Sequence, residues 1–147
     1  MWLQGSCRCG KVHFHLWSRH PYPVKLCYCS ICRKTAGGGG YAINLSGDSR
    51  TLRARGMKSV RIYRAGIDGE ISTGQRHFCS SCGSFLWLYD PTWPKLVHPF
   101  ASAIDTPLPA PPERTHLMLG SKANWGKVHK GKCDQVFDEY PKESIAQ

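Results

Sequence analysis

The sequence lacks any long apolar run and carries few acidic residues. None of its hydrophobic stretches approaches the ~20 residues that a membrane-spanning helix needs. Residues 1–10 also lack the charged segment followed by an apolar segment that marks a secretory signal. We therefore expect an intracellular, cytoplasmic protein whose thiols stay reduced.

The chain has 10 Asp and Glu and 20 Lys and Arg, which gives a formal net charge of +10. This imbalance favours an anionic partner, either a small acidic substrate or nucleic acid. The length of 147 residues suits a single core. Residues 1–147 are therefore expected to form one domain.

Helical periodicity is also scarce, and its best candidate is one or two turns within residues 33–40. Alternation of apolar and polar residues, which is typical of half-buried strands, recurs in residues 11–17, 41–45, 59–65, 83–90 and 115–121. The proline-rich residues 106–113 cannot lie inside a sheet and are expected to form a surface loop. These patterns predict a mostly β fold with little helix.

Cysteine, in contrast, is abundant and clustered. Seven of the eight cysteines fall into three tight groups: Cys7 with Cys9, Cys27 with Cys29 and Cys32, and Cys79 with Cys82. Disulfide frameworks are typical of short secreted chains, whereas closely spaced thiolates are suited to gripping one metal ion. Metal binding is therefore the favoured interpretation, and a disulfide framework is the alternative.

Two of these groups are incomplete pairs. Cys7 with Cys9, and Cys79 with Cys82, would together complete a tetrahedral four-cysteine site of the structural type. Seven thiols can be divided in several ways, and this division is favoured because it leaves one compact triad. Iron of the rubredoxin type would also suit four thiolates, but nothing else in the sequence indicates electron transfer, so zinc is favoured.

The remaining group, Cys27, Cys29 and Cys32, offers three thiolates. Three protein ligands and an open position are characteristic of catalytic zinc. In the alternative, a distant residue closes the site, and the candidates are His13, His15, His77, His116, His129 and Cys133.

Two cations, Arg33 and Lys34, directly follow the triad. A zinc ion with three thiolates has a formal charge of −1, and a fourth thiolate makes it −2, which is costly in a partly buried site without nearby positive groups. Arg33 and Lys34 could supply that charge or hold the carboxylates of an acidic thiol. The alternative is that both are solvated surface cations.

Three motifs resemble the glutathione-dependent formaldehyde-activating enzyme family, which includes centromere protein V. They are GSCRCG at residues 5–10, CYCSICRK at 27–34 and FCSSCGS at 78–84, followed by HLMLGSKANW at 116–125 and FDEYPKES at 137–144. The resemblance spans nearly the whole chain and rests on all seven clustered cysteines. Cys133 lies outside the pattern, and its polar neighbours suggest a free surface thiol.

This resemblance implies a compact, zinc-stapled, β-rich fold shared with Rab-exchange-factor-like proteins and two Zn²⁺ per chain. It implies that Cys7, Cys9, Cys79 and Cys82 bind a structural zinc, and that Cys27, Cys29 and Cys32 bind a catalytic one. It also implies a carbon–sulfur lyase that joins glutathione, or a similar thiol, to formaldehyde or a related small aldehyde. Metal coordination would deprotonate the thiol, and the product would be an S-hydroxymethyl adduct.

A second interpretation, a zinc-stabilised basic module that binds nucleic acid without catalysis, rests on residues 50–64. This run holds six cations and no acid, and Tyr63 could stack on a base. The simpler alternative is a solvated hairpin with outward-facing arginines.

Overall fold

Short strands build four small sheets in the computed structural model, which describes residues 1–36 and 38–140. The strands within this part of the chain are β1 (Trp2–Ser6), β2 (His13–Trp17), β3 (Lys25–Cys27), β4 (Ala42–Asn44), β5 (Gly47–Asp48), β6 (Arg53–Arg55), β7 (Val60–Tyr63), β8 (Gly66–Ile67), β9 (Glu70–Ile71), β10 (Gln75–Cys79), β11 (Phe85–Tyr89), β12 (Leu96–Pro99), β13 (Thr115–Leu117) and β14 (Gln135–Val136). One short α-helix, α1 (Ser30–Thr35), joins them with the 3-10 turns Ser49–Thr51, Met57–Ser59, Ala101–Ala103 and Leu119–Ser121. The prediction of a mostly β fold with little helix is confirmed.

The strand order differs in each sheet. The orders are β1-β2-β6, β5-β12-β11-β10-β7, β14-β13-β3-β4 and β8-β9. The four-stranded sheet is mixed, since β13 runs parallel to both β14 and β3 while β3 and β4 are antiparallel. Its inner strand β3 therefore brings together segments that lie about ninety residues apart in sequence.

The hairpin of β1 and β2 shows how the alternating pattern is used. Leu3 pairs with Leu16 and both are fully buried, while Trp2 pairs with Trp17 on the exposed face. A side chain on Gly5 would collide with the Phe14 ring, so this position of β1 requires glycine.

The main core lies between the three-stranded and five-stranded sheets. Its buried members include Leu3, Phe14, Leu86, Trp87 and Val97, and the Phe14 ring meets the Trp87 ring edge-on at 5.0 Å. A second, smaller cluster surrounds Cys27, Cys29 and Cys32 with Ala42 and Phe100. The second core thus contains a whole cysteine group, and the first contains Cys7 and Cys79, while Cys9 and Cys82 are exposed.

Three details of the sequence interpretation are wrong. The helix begins at Ser30 rather than after Cys32, because the Cys29 sulfur caps it. Residues 115–121 are not one strand, since Met118 adopts φ +59° and ends β13. Residues 50–64 are not a hairpin, because β6 pairs with β2 whereas β7 pairs with β10.

Gly37 and the last residues of the FDEYPKES motif, residues 141–144, lie outside the described part of the chain. In the described part, no helix has the length and apolar character needed to cross a bilayer. The location in the cytoplasm stays a prediction.

Gly56 supports a test of backbone strain. It has φ +83°, and a side chain there would also collide with the Lys11 carbonyl, whereas Gly69 has φ +81° with open space around it. We expect Gly56→Ala to lower the free energy of unfolding by about 2 kcal/mol more than Gly69→Ala, because only Gly56 adds a backbone collision to the strain. Denaturant unfolding of the metal-loaded protein measures this, and equal losses would contradict it.

Candidate metal centres

Four cysteines meet where β1 and β10 end. The sulfurs of Cys7, Cys9, Cys79 and Cys82, here called the tetrad, lie within 4.8 Å of one another. The Cys7 and Cys9 sulfurs are 3.5 Å apart, and those of Cys9 and Cys79 are 3.8 Å apart. A zinc ion with Zn–S bonds of about 2.3 Å places its sulfurs about 3.8 Å apart. The donor set therefore fits a tetrahedral metal ion.

Two similar turns present these sulfurs. The N–H of Gly10 donates to the Cys7 carbonyl, and the N–H of Gly83 donates to the Cys79 carbonyl. Both glycines have positive φ, +82° and +78°, which favours glycine after each cysteine pair. The N–H of Val12 also donates to the Cys7 sulfur at 3.3 Å. Backbone donors of this kind stabilise a thiolate.

The second group, Cys27, Cys29 and Cys32, is here called the triad. Cys27 ends β3 opposite Ala42, Cys29 caps α1, and Cys32 lies in its first turn. The Cys32 N–H donates to the Cys29 sulfur at 3.3 Å. All three sulfurs lie within 4.8 Å of one another, and the residues are only 1–7% exposed.

The triad's electrostatics favour a bound cation. Hydrogen bonds from the Cys27 and Cys32 thiols lower the pKa of Cys29 to about 2. Hydrogen bonding to Cys29 and Cys32, together with burial, raises the pKa of Cys27. One buried sulfur therefore ionises readily while its neighbours resist. A metal ion would allow all three to ionise, so this donor set also fits one.

A buried chain of hydrogen bonds fixes the residue between the first two triad cysteines. The Tyr28 hydroxyl lies 3.0 Å from His116 Nδ1, and His116 Nε2 lies 3.0 Å from a carboxylate oxygen of Asp134. Backbone N–H groups of Gly131 and Arg114, with His116, lower the pKa of Asp134 to about 2. His116 is thereby occupied in positioning Tyr28.

The cation that reaches the triad is Arg76. Its Nη2 donates to the Cys32 sulfur at 3.6 Å, and its Cζ lies 6.0 Å from the centre of the Phe100 ring. The residue is 8% exposed, and its Nη1 is buried without a hydrogen-bond partner. Sequence reasoning missed Arg76 because 44 residues separate it from Cys32 and only the antiparallel sheet brings it there. The sequence feature that could have indicated its role is its position three residues before Cys79, in the same strand.

The cations expected at the triad occupy other positions. Arg33 and Lys34 lie in the last turn of α1, and neither has a hydrogen bond or ion pair to a triad sulfur. Lys34 is exposed, while Arg33 is half-buried with an unpartnered Nε. Their role toward an acidic ligand stays a prediction.

Within residues 1–36 and 38–140, no histidine, carboxylate or further cysteine joins the triad. His77 stacks on Trp87 at 4.9 Å and its Nδ1 lies 3.1 Å from the Gln75 carbonyl. His13 and His15 face outward on β2, and His129 and Cys133 are exposed.

The charges of the triad also affect the pKa of Tyr140. Desolvation first, and then the charges of Cys27, Cys29 and Cys32, raise its pKa, while Arg76 opposes the rise. The residue is 64% exposed, which limits the contribution of desolvation and leaves the cysteine charges as the main cause. The N–H of Met118 donates to the Glu139 carbonyl at 3.3 Å, and Met118 packs against the triad, which explains this proximity.

A cleft of about 630 Å³ lies beside both centres. Thr35 and Ala36, at the end of α1, line it together with Cys7 of the tetrad, and Arg8 and Asp105 give it one charge of each sign. None of the triad cysteines lines this cleft.

These features define a class: a small β protein with two thiol clusters, each of which could hold a metal ion. The family model described as glutathione-dependent formaldehyde-activating enzyme matches residues 2–119, which include all seven clustered cysteines but not Cys133. A protein of Halomonas elongata named "Putative glutathione-dependent formaldehyde-activating enzyme" is 61% identical over 147 residues, which is 100% of this chain and 94% of the relative. A solved structure of a Rhodobacter sphaeroides protein superposes on this chain with a TM-score of 0.58 at 24% sequence identity. The match covers 72% of this chain and 91% of the Rhodobacter sphaeroides chain, and at this identity it is evidence for the fold only.

The chain belongs to the glutathione-dependent formaldehyde-activating enzyme family. The resemblance stated from the three cysteine motifs is thereby confirmed.

The two centres should differ in what they contribute to stability. The tetrad joins the end of β1 to the end of β10, whereas the triad lies within six residues, and closing the longer loop restrains the unfolded chain more. We expect Cys82→Ser to lower the unfolding temperature of the metal-loaded protein more than Cys32→Ser. Cys82 is exposed and Cys32 is buried, so packing alone predicts the opposite order. Thermal unfolding with metal analysis of each variant decides between the two.

Arg76 should control how tightly the triad binds its ion. We expect Arg76→Met to weaken binding of one of two metal ions about tenfold, because it removes the positive charge beside Cys32. Competition with a chromophoric chelator measures both affinities in the same titration.

The matched control is Lys34→Met, which removes an exposed cation two residues after Cys32. Its metal affinities should equal those of the unaltered protein. Equal weakening in both variants would mean that overall charge, rather than the Arg76 contact, sets the affinity.

Proposed function

We propose that the protein is a carbon–sulfur lyase that joins the thiol of glutathione to formaldehyde, or to a related small aldehyde. The observation that carries the proposal is the buried triad, three sulfurs with an inward-facing guanidinium and no fourth ligand among the described residues. Membership of the family and the name of the Halomonas elongata relative support the same reaction. A cytoplasmic location, a single domain over residues 1–147 and two Zn²⁺ per chain belong to this proposal.

The residues divide into two sets. Cys7, Cys9, Cys79 and Cys82 would hold a structural zinc, and Cys27, Cys29 and Cys32 would hold the second. When bound at the triad, zinc supplies a positive centre that keeps an incoming thiol ionised at neutral pH. The triad's low exposure supports this division, since a shielded site strengthens such electrostatic effects.

Arg76 limits the negative charge of the triad. One guanidinium balances the formal charge of −1 that three thiolates leave on a divalent ion. Its Nη2 is committed to Cys32, while its Nη1 has no partner and is free to donate to an anionic atom of a ligand. A buried, unpaired donor is costly, which supports a ligand role for Nη1.

The carboxylates of an acidic thiol lie away from its sulfur, so the cations that bind them must lie outside the triad. Arg33 and Lys34 follow the triad on α1 and would hold ligand carboxylates, as would Arg8 in the neighbouring cleft. The volume of that cleft, about 630 Å³, suits a small peptide.

The reaction itself is balanced without an oxidant or reductant. The sulfur of glutathione forms a bond to the aldehyde carbon, the electron pair of the C=O π bond moves to oxygen, and the thiol proton ends on that oxygen. The reverse reaction cleaves the carbon–sulfur bond.

The proposal is tested by titrating a cobalt-substituted protein with glutathione. A thiol that joins the triad's ion should change the cobalt–thiolate absorption, because the ligand set changes from three sulfurs to four. S-methylglutathione has the same carboxylates and no free thiol, and it should leave the absorption unchanged.

The zinc-loaded protein should accelerate the formation of the adduct from formaldehyde and glutathione over the uncatalysed rate. Cys32→Ser should lose both the acceleration and the spectral change. An unchanged spectrum at saturating glutathione would overturn the proposed site, and a spectral change without acceleration would overturn the proposed reaction.

A further inference from the structure

One sheet turns an aromatic and cationic face to solvent. The outward side chains of β1, β2 and β6 are Trp2, Gln4, Ser6, His13, His15, Trp17, Arg53 and Arg55. We call this set the Trp–Arg face. None of the three strands contains an acidic residue, and the nearby carboxylate of Asp105 accepts a hydrogen bond from the Ser6 hydroxyl at 2.6 Å.

The register arranges this face in rows. Trp2 lies opposite Trp17 at one end, His15 pairs with Arg53 in the middle, and His13 pairs with Arg55 at the other end. Alternate residues of a strand project about 6.6 Å apart on one side, so the rows follow each other at that interval. The aromatic end and the basic end therefore lie along a single line.

The tryptophans are open to a ligand. Trp2 and Trp17 are 54% and 41% exposed, and their rings meet edge-on at 5.5 Å. In an edge-on pair the edge of one ring covers one face of the other, so the faces turned away from the contact remain for a ligand. A cluster of exposed aromatic surface is typical of an interaction site.

A cationic groove continues the face past Trp17. It has a volume of about 240 Å³, and Arg19, Arg50 and Lys95 line it together with Trp17. Asp48 pairs with Arg50 at 2.9 Å and offsets one of these charges. The groove thus keeps an excess of positive charge beside an exposed indole.

The position of Arg53 is fixed by the backbone. Its Nη1 donates to the carbonyls of Arg50 and Leu52 at 3.0 and 2.9 Å. The guanidinium is therefore held near the face, with its other nitrogen atoms free for a ligand, and less side-chain entropy is lost when it binds.

We propose that the Trp–Arg face and its groove bind single-stranded nucleic acid. Bases would stack on Trp2 and Trp17, and phosphates would contact Arg53, Arg55 and the groove cations. Single strands fit better than duplexes, because stacking needs bases whose faces are free. The ~13 Å length of the five-residue strands accommodates a few nucleotides. This activity is separate from the triad and does not depend on the proposed function.

The test uses a fluorescent oligonucleotide of eight deoxythymidines and the zinc-loaded protein at several salt concentrations. Binding should weaken with salt, and Arg53→Ala with Arg55→Ala should reduce the slope of log K against log salt by about 1.4, since each single-strand phosphate contact contributes about 0.7. Trp17→Leu should weaken binding about tenfold through lost stacking, and Trp17→Phe should restore most of it. Formaldehyde turnover should be unchanged in the double arginine variant.

The matched control removes two arginines of the same basic run that lie off the face. Arg61 belongs to β7 in the five-stranded sheet and Arg64 follows it, so Arg61→Ala with Arg64→Ala should leave the slope nearly intact. An equal change in both double variants would overturn the proposal in favour of overall charge. If inorganic polyphosphate binds as tightly as the oligonucleotide, the proposed stacking of bases on the tryptophans is wrong. If vesicles of phosphatidylcholine and phosphatidylserine (3:1) bind and the oligonucleotide does not, the face is a membrane-binding surface instead.

Discussion

The crowding of buried sulfur atoms is the constraint on which the rest of the structure depends. Seven thiols lie in two groups, each within 4.8 Å, and the triad is almost entirely removed from water. Such groups cannot all ionise unless positive charge is nearby. In the described part of the chain, one guanidinium, that of Arg76, donates a hydrogen bond to a triad sulfur. No cationic side chain there donates a hydrogen bond to a tetrad sulfur. Metal ions would supply the remaining positive charge if all seven thiols ionise, and the geometry of both groups fits such ions.

The strand β10 couples the two centres. It carries Arg76 toward the triad and ends in Cys79, a member of the tetrad. A change that shifts this strand would therefore alter the charge around one centre and the ligand geometry of the other. Phe100 reinforces the link, because it packs against the triad and lies under the Arg76 guanidinium. Second-sphere groups of this kind determine how tightly a metal site binds.

Sequence alone predicted what local spacing determines. The alternation within residues 11–17 and 83–90 predicted β2 and β11, and the spacing of Cys27, Cys29 and Cys32 placed the triad in one short segment. It did not predict the partners that only strand pairing creates. Arg76 reaches Cys32 through the sheet, and the basic run of residues 50–64 divides between two sheets because β6 and β7 have different neighbours. Non-local pairing of short strands leaves no periodic signal in the sequence.

The positive charge of the chain is divided between the triad and the surface. At the triad, Arg76 would offset the formal charge of −1 that three thiolates and a divalent ion carry together, and a fourth thiolate from a ligand would add one further negative charge. Arg53, Arg55 and Lys95 lie at the surface, where water screens them and no internal charge requires them. A net charge of +10 is therefore not explained by the chemistry of the cysteines. Part of this charge lies beside the exposed tryptophans of the Trp–Arg face and its groove, an arrangement that suits an anion that also presents flat, stackable rings.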